Sequence, residues 1–264
     1  MSLTGKTVSA SYKDILQVDN SGSGLTTSLQ VVKDGEGNQS CLSISDDNLK
    51  IQPENDDTAV LVTINDKDSN NLVQIDSTND LVKALGNNVN TQFTHFGANY
   101  VDFSNVAAGT HYPVPFGGAN GGASATNDVD FGTNVDPDLT FTTANTDTQY
   151  ASQIVPMMWY LPNAITIDSV THIEGADAPT GETTRMHLLS YTLTSASTSC
   201  LTAGTLLAHN SDITNAGNEQ AYLSTWTVDS SAVAAGKVIL CFFFCAVSVN
   251  SDYSLNVNIK YHLT

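Results

Sequence analysis

Carboxylates are the groups best supplied for chemistry in this chain. Asp128 with Asp130, Asp136 with Asp138, and Glu174 with Asp177 are close pairs. Paired carboxylates suggest glycoside hydrolysis, one acting as acid and the other as base or nucleophile. Such a pair is defined by a spatial separation of roughly 5–5.5 or 6.5–9.5 Å, which spacing along a chain does not set. Asp-rich loops read first as solvated turns, capped by hydrogen bonds from their own backbone. Asp66-Lys-Asp68-Ser-Asn70 opens like a calcium loop, but Asn71 stands where that loop needs Gly and Ser77 where it needs Glu. Asp128, Asp130, Asp136 and Asp138 are a second candidate for a cation, again set against a hydrated turn. The histidines are His95, His111, His172, His187, His209 and His262, and none stands in HxH or HExxH. His172-Ile-Glu174 matches a fragment of the deaminase signature, without the Pro-Cys-x-x-Cys that completes it. There is no GxSxG elbow. The glycines Gly22-Ser-Gly24 and Gly117-Gly118…Gly121-Gly122 fit neither a phosphate loop nor a dinucleotide turn. No enzyme is expected, no catalytic, cofactor-binding or metal-ligating set is assigned, and no cofactor is expected.

The remaining reactive or adhesive side chains have plainer roles to fill. Of the four cysteines, Cys41, Cys200, Cys241 and Cys245, the last two lie in a strand-like run. At about 3.3 Å per residue they stand about 13 Å apart on one face, too far to bridge. They read as buried thiols, and neither disulfide nor zinc is expected. Trp159, Tyr160, Tyr191, Tyr222 and Trp226 could bind sugar or protein, but in strands such aromatics belong first to a core or a subunit interface. Arg185, the only arginine, either anchors a carboxylate across an interface or is an ordinary surface residue.

Charge narrows the partners. Lys plus Arg is 9 against 27 Asp plus Glu, a net charge of −18 over 264 residues. Phosphate binding needs clustered cations, so the charge argues against nucleic acid and against docking on anionic membrane. Only 14% of residues are charged, too few for a coiled coil or a charged disordered tail. The longest apolar run, Val238 to Val249, is shorter than the roughly 20 residues of a spanning helix. Met1-Ser-Leu-Thr-Gly-Lys6 lacks the apolar core of a signal peptide. Folding in a cytoplasm is expected.

The elements that must position these residues are strands. No apolar stripe of helical period runs for four turns, whereas alternation recurs throughout. At the C-terminus Leu255, Val257, Ile259, Tyr261 and Leu263 alternate with Asn256, Asn258, Lys260 and His262, as in a strand with one open face. Residues 153–160, 164–173, 185–193, 221–228, 237–249 and 255–263 are the expected strands of a two-sheet, jelly-roll-like sandwich, completed by 99–103 or 111–116. Residues 91–150, rich in Gly, Asn and Thr, read as an ordered excursion on the domain surface or at a subunit interface.

The first 90 residues differ. They hold six of the nine cations and no aromatic between Tyr12 and Phe93. Short apolar runs alternate with acidic, Asn-rich turns, and a weak repeat relates Asp34, Ile44 and Leu49 to Asp66, Ile75 and Leu81 at an offset of 31 or 32. One such unit cannot bury its apolar side alone. Three chains about one axis would bury these positions against their copies; the other option is a small independent β-domain.

The segment Ser9-Ala-Ser-Tyr-Lys-Asp-Ile-Leu-Gln-Val-Asp-Asn-Ser-Gly-Ser-Gly24, with Lys33-Asp-Gly-Glu-Gly37 and Cys41-Leu-Ser-Ile44, resembles the N-terminal segment of tail-fibre and minor structural proteins of marine bacteriophages. Residues 62–80 resemble the trimeric shaft repeats of phage fibres. Tyr112-Pro-Val-Pro-Phe116 and Gln153-Ile-Val-Pro-Met-Met-Trp-Tyr160 are similar to the segments that open the β-sandwich head of such fibres. The resemblance implies an all-β homotrimeric virion component assembled in the host cytoplasm. Residues 1–92 would be an anchor and short β-shaft bound to other virion proteins, and residues 93–264 an outward-facing head. It transfers no catalytic residues and leaves tail or capsid attachment open. The shaft is short, so a spike or a capsid-bound fibre fits at least as well as a long fibre. The expected role is structural, with a head able to adsorb to a host glycan or protein. The alternatives are a capsid decoration protein without a receptor and, from another class, a carbohydrate-binding module or glycan-degrading spike.

Overall fold

A computed structural model of the protein describes residues 15–18, 20, 23–100, 108–117, 129–144, 151–217, 219–246 and 251–264. The fold is nearly all β, and it divides into two compact units, Met1–Val89 and Asn90–Thr264.

The N-terminal unit holds two antiparallel four-stranded meanders. The first runs β1 (Gln17–Val18), β2 (Gln30–Lys33), β3 (Gln39–Ile44), β4 (Leu49–Ile51); the second runs β5 (Val62–Asn65), β6 (Asn71–Asp76), β7 (Leu81–Ala84), β8 (Asn87–Asn88). The repeat seen in the sequence returns as geometry. Asp34 Oδ1 accepts the backbone N–H of Glu36 and Asn38, and Oδ2 accepts the Asn38 side-chain amide. Asp66 does the same with Asp68 and Asn70, 32 residues later. These bonds hold both carboxyls below the usual range, the Asn side-chain amide being the largest cause. The next turns also match. Ser45 Oγ accepts the N–H groups of Asp47 and Asn48, and Asp76 Oδ1 those of Thr78 and Asn79, at an offset of 31. One match slips. Leu49 pairs with Ile44, but the residue opposite Ile75 is Val82, because the second hairpin carries one more pair, Asp76 with Leu81.

Apolar side chains in this unit share faces across strands. Val62, Ile75 and Val82 form one cross-strand row, and Ile64, Val73 and Ala84 the next. In the first meander Ile44 lies opposite Leu49, and Leu42 opposite Ile51. Among the described residues Val32 is the only buried apolar side chain before Phe96.

The C-terminal unit is a sandwich. Its strands are β9 (Thr91–Tyr100), β10 (His111–Val114), β11 (Trp159–Tyr160), β12 (Ile165–Asp177), β13 (Thr183–Leu193), β14 (Leu201–His209), β15 (Ile213–Thr214), β16 (Gln220–Thr225), β17 (Thr227–Val228), β18 (Ala232–Val233), β19 (Lys237–Cys245) and β20 (Asp252–Leu263). One sheet has the order β10-β19-β13-β14-β17, the other β16-β12-β20-β9. The core between them is built from Phe96, Val114, Ile167, Met186, Leu188, Cys241, Phe243, Leu255, Val257 and their neighbours. In β20 burial alternates residue by residue from Tyr253 to Ile259, as its sequence does, because the outer face of that sheet is open.

The other sheet is buried on both faces. A second core covers its outside, with Val129, Phe131 and Phe141 from the preceding loop and Ile154 and Met157 from a short helix. These pack on Leu189, Tyr191, Val238, Leu240 and Phe242. This explains the continuous apolar run from Val238 to Cys245: a strand with two covered faces has no polar side to alternate. Residues 153–160 are therefore not the strand their sequence suggests. They form α1 (Ala151–Ile154) and a 3-10 turn (Val155–Met157) with Pro156 near its start, and only Trp159–Tyr160 are extended. Ile154 and Met157, three apart on one helical face, are the pair that reaches the core. Strand β14 shows no clean alternation in the sequence, and its pairing with β13 is irregular, with register shifts between Leu188 and Leu189 and between Ser190 and Thr192 and with Ala203 at φ 51°. Beside it Gly204 lies so close to Leu139 that a Cβ would come within 2.8 Å of the Leu139 Cα.

Phe242→Ala should cost about 3–5 kcal/mol, since its ring is fully buried between Phe131 and Tyr191. Leu223→Ser, on the open face of the other sheet, should change stability by less than about 0.5 kcal/mol. Thermal or urea unfolding of the two variants checks both, and equal losses would contradict the placement of the second core.

Candidate functional site

The most concentrated group of ionisable side chains described lies where the second core ends. Alternation along β13 sends Met186 and Leu188 into the sandwich and Arg185 and His187 to the outer face. Cross-strand pairing then sets His209 of β14 opposite His187, and Phe244 of β19 between Arg185 and His111 of β10. Three histidines remote in sequence thus converge. The rings of His111 and His187 have centroids 5.0 Å apart, and those of His187 and His209 are stacked at 6.5 Å.

The covering loop completes the site. It is tied to β10 by Phe131 N–H to His111 O and His111 N–H to Gly132 O. Gly132 has φ +85°, and a Cβ there would strike the Asp138 carboxylate at 2.5 Å. Tyr191 donates its hydroxyl to the Asp138 carbonyl at 2.8 Å. These contacts hold Val135 and Asp136 over the sheet. Asp136 Oδ1 stands 3.4 Å from His187 Nε2, and the Val135 carbonyl accepts from Arg185 Nη1 at 3.4 Å.

Arg185 is committed within its own chain. Its Nε and Nη2 donate to the two oxygens of Asp212 at 2.5 and 2.8 Å, and its guanidinium sits 5.6 Å from the Phe244 ring centroid. That bidentate bond raises the Arg185 pKa and lowers that of Asp212. Burial, reinforced by His111, Arg185 and His209, pushes His187 down to about 3. Burial also lowers His111. Both rings are neutral near pH 7. His209 Nδ1 contacts Asp229 at 2.8 Å. A cavity of 290 Å³ opens among Val135, Asp136, Arg185, His187, His209 and Asn210.

The other residues singled out in the sequence are placed as follows. Glu174 and Asp177 point to opposite faces of β12, one buried and one exposed, so they do not form a pair. Glu174 belongs to an interior chain of contacts. Trp226 Nε1 donates to His172 Nδ1 at 2.7 Å, His172 Nε2 faces Glu174 at 3.6 Å, and Thr184 Oγ1 donates to Glu174 at 2.9 Å. The His172-Ile-Glu174 fragment therefore ties the two sheets together from inside. Asp128 lies outside the described residues. Asp136 faces His187, while Asp138 accepts from Asn134 Nδ2 at 3.0 Å. Asp66 spends its carboxylate on three N–H donors of its own turn. Cys241 and Cys245 are buried on the core side of β19, and burial pushes the Cys241 thiol up. Trp159, Tyr191 and Trp226 are buried, Tyr222 is partly buried and packs on the core, and Tyr160 is exposed.

The histidine cluster carries no sequence signal, since its members come from three strands and no short motif links them. The one legible clue was the alternation Arg185-Met186-His187-Leu188, which puts two polar side chains on a single face. No family model matches this chain, and no curated protein does.

The neutral His187 links stability to pH. Its folded pKa of about 3 lies below its ordinary value of 6.5, so between these values the unfolded chain binds the extra proton. Stability should therefore fall as pH drops from about 6.5 towards 3, with a slope from this group of at most about 1.4 kcal/mol per pH unit. In His187→Gln that slope should flatten. Urea titrations of both proteins at stepped pH measure the difference, and parallel curves would contradict a buried neutral His187.

Proposed function

We propose that this chain is a structural protein of a bacteriophage virion: a short homotrimeric fibre or spike with an N-terminal β-shaft and an outward-facing β-sandwich head that adsorbs to the host surface. The observation that carries this reading is the repeated N-terminal unit, which has almost no apolar core among its described residues. Its two meanders have matched turns and apolar cross-strand rows, yet one apolar side chain is buried among those described. Leu49 is 63% exposed, Ile64 54% and Leu85 72%. A fold of this size with so little apolar burial needs an added constraint, and self-association supplies one without a further component. Because the surface repeats along the chain, copies set side by side about an axis can meet the same surface twice. A closed ring of copies also pairs or covers strand edges that would otherwise be free to aggregate.

The head supports the reading in its own way. Leaving out the short strands, its sheets are β9-β20-β12-β16 and β10-β19-β13-β14. Chain-successive strands fall in opposite sheets at several steps, and the first strand lies beside the last. A jelly roll, a fold common in viral particles, wraps in this manner. The resemblance of residues 9–24, 33–44 and 62–80 to phage fibre segments points the same way. An acidic surface with a net charge of −18 suits a soluble particle exterior.

Light scattering of the full chain should give about 84 kDa, three times the 28.0 kDa of one chain. Ile64→Asp combined with Val82→Asp should lower that mass, because both substitutions place charge on one apolar face of the second meander. A stable monomer or dimer for the unaltered chain would overturn the proposal.

A further inference from the structure

The cavity over β13 and β14 contains two buried polar side chains that find no complete set of partners in the protein. Asn210 is 1% exposed. Its Oδ1 accepts the Met186 N–H at 2.6 Å, which fixes the amide, while its Nδ2 donor has no partner. His187 is also 1% exposed. Its Nε2 faces the Asp136 carboxylate, so the single proton of the neutral ring is assigned there and Nδ1 is left as a bare acceptor. Nδ1 likewise has no partner. Buried polar groups are nearly always paired, and an orphan of this kind calls for an explanation. Here the orphan donor and the orphan acceptor belong to two residues that line the same cavity.

The chemistry of the walls selects among ligands. A metal ion is disfavoured by the Asn210 N–H donor. An anion is disfavoured by the lone pair of His187 and the carboxylates of Asp136 and Asp212. A hydroxyl group both donates and accepts, so its chemistry matches both orphans. Asp136, with half its surface in solvent and only a 3.4 Å contact to His187, can accept further hydroxyls. Val135 and Leu206 add apolar walls for the C–H face of a ring. The Arg185–Asp212 pair fixes the rim, so little ordering remains to be done on binding. A volume of 290 Å³ stands at the low end of ligand sites, about 300–1,000 Å³, and suits one small ring.

We propose that this cavity binds a single neutral sugar residue through its hydroxyl groups, with His187, Asn210 and Asp136 as the recognising side chains. The site deepens the host-adsorption part of the proposed function, but it does not depend on oligomeric state, since every residue named belongs to one chain.

The test is saturation-transfer NMR of the full chain with glucose, galactose, mannose and N-acetylglucosamine, together with amide spectra of labelled protein. At least one sugar should bind and shift the Asn210 side-chain amide. Asp136→Ala should weaken that binding about tenfold or more. His209→Ala, at a partly exposed position on the cavity wall, should also weaken it, and serves if Asp136→Ala disturbs the fold. No binding of any of the four sugars, with ordered water alone in the cavity, would overturn the proposal. So would binding that neither substitution changes. The mass of the same sample reports separately on trimer formation, so each reading can fail without the other.

Discussion

Whether a sheet face is covered decides almost everything in this protein. In the C-terminal unit the sheet built around β19 is covered twice, once by the opposing sheet and once by the 129–141 loop with the short helical turn. The second cover sets β19 apolar on both sides and holds the loop that carries Asp136 over His187. The opposing sheet is covered once, and its β20 alternates accordingly. In the N-terminal unit, apolar cross-strand rows exist with no buried core behind them among the described residues. Four sheets of similar local chemistry thus meet three different fates. The difference lies in what the rest of the chain lays across them.

That constraint also explains what the sequence could and could not tell. Strict alternation in β20 and the unbroken apolar run of β19 are direct imprints of one covered face and two. The all-β class followed from these patterns, as did the burial of Cys241 and Cys245. The repeat was legible because its turns are made locally: Asp34 and Asp66 each fold their own loop through bonds spanning four residues. The slip of Leu49 against Val82 was not legible, since register depends on the length of a hairpin ladder and not on residue likeness. Residues 153–160 looked like a strand because a short amphipathic turn and a strand share apolar content; only the position of the second core, remote in sequence, decides between them.

The histidine cavity was illegible for a related reason. His111, His187 and His209 owe their proximity to the register of strands paired side by side in one sheet, and Asp136 joins them from a loop placed by Gly132 and the Tyr191 hydroxyl. Only after the second core is assembled does the site exist. Polar groups at the margin of an apolar cover are shielded from water yet still border an opening. That is why His187 stays neutral and why Asn210 can be both buried and incompletely paired.

This position at a margin separates the cavity from the interior contacts around Glu174. There, Trp226 donates to His172 and Thr184 donates to Glu174 between the sheets, and His172 Nε2 is left without a hydrogen-bond partner. Such a network binds the two sheets to each other, and its unpaired nitrogen is sealed in the interior, where His172 and Glu174 are fully buried. Around His187 the protein supplies the walls, the fixed Arg185–Asp212 rim and the orienting carboxylate, but leaves the Asn210 donor and the His187 acceptor of the cavity residues over. The two polar clusters use the same residue types. What makes one structural and the other a candidate for recognition is whether a cavity borders the residue whose last hydrogen bond is left open.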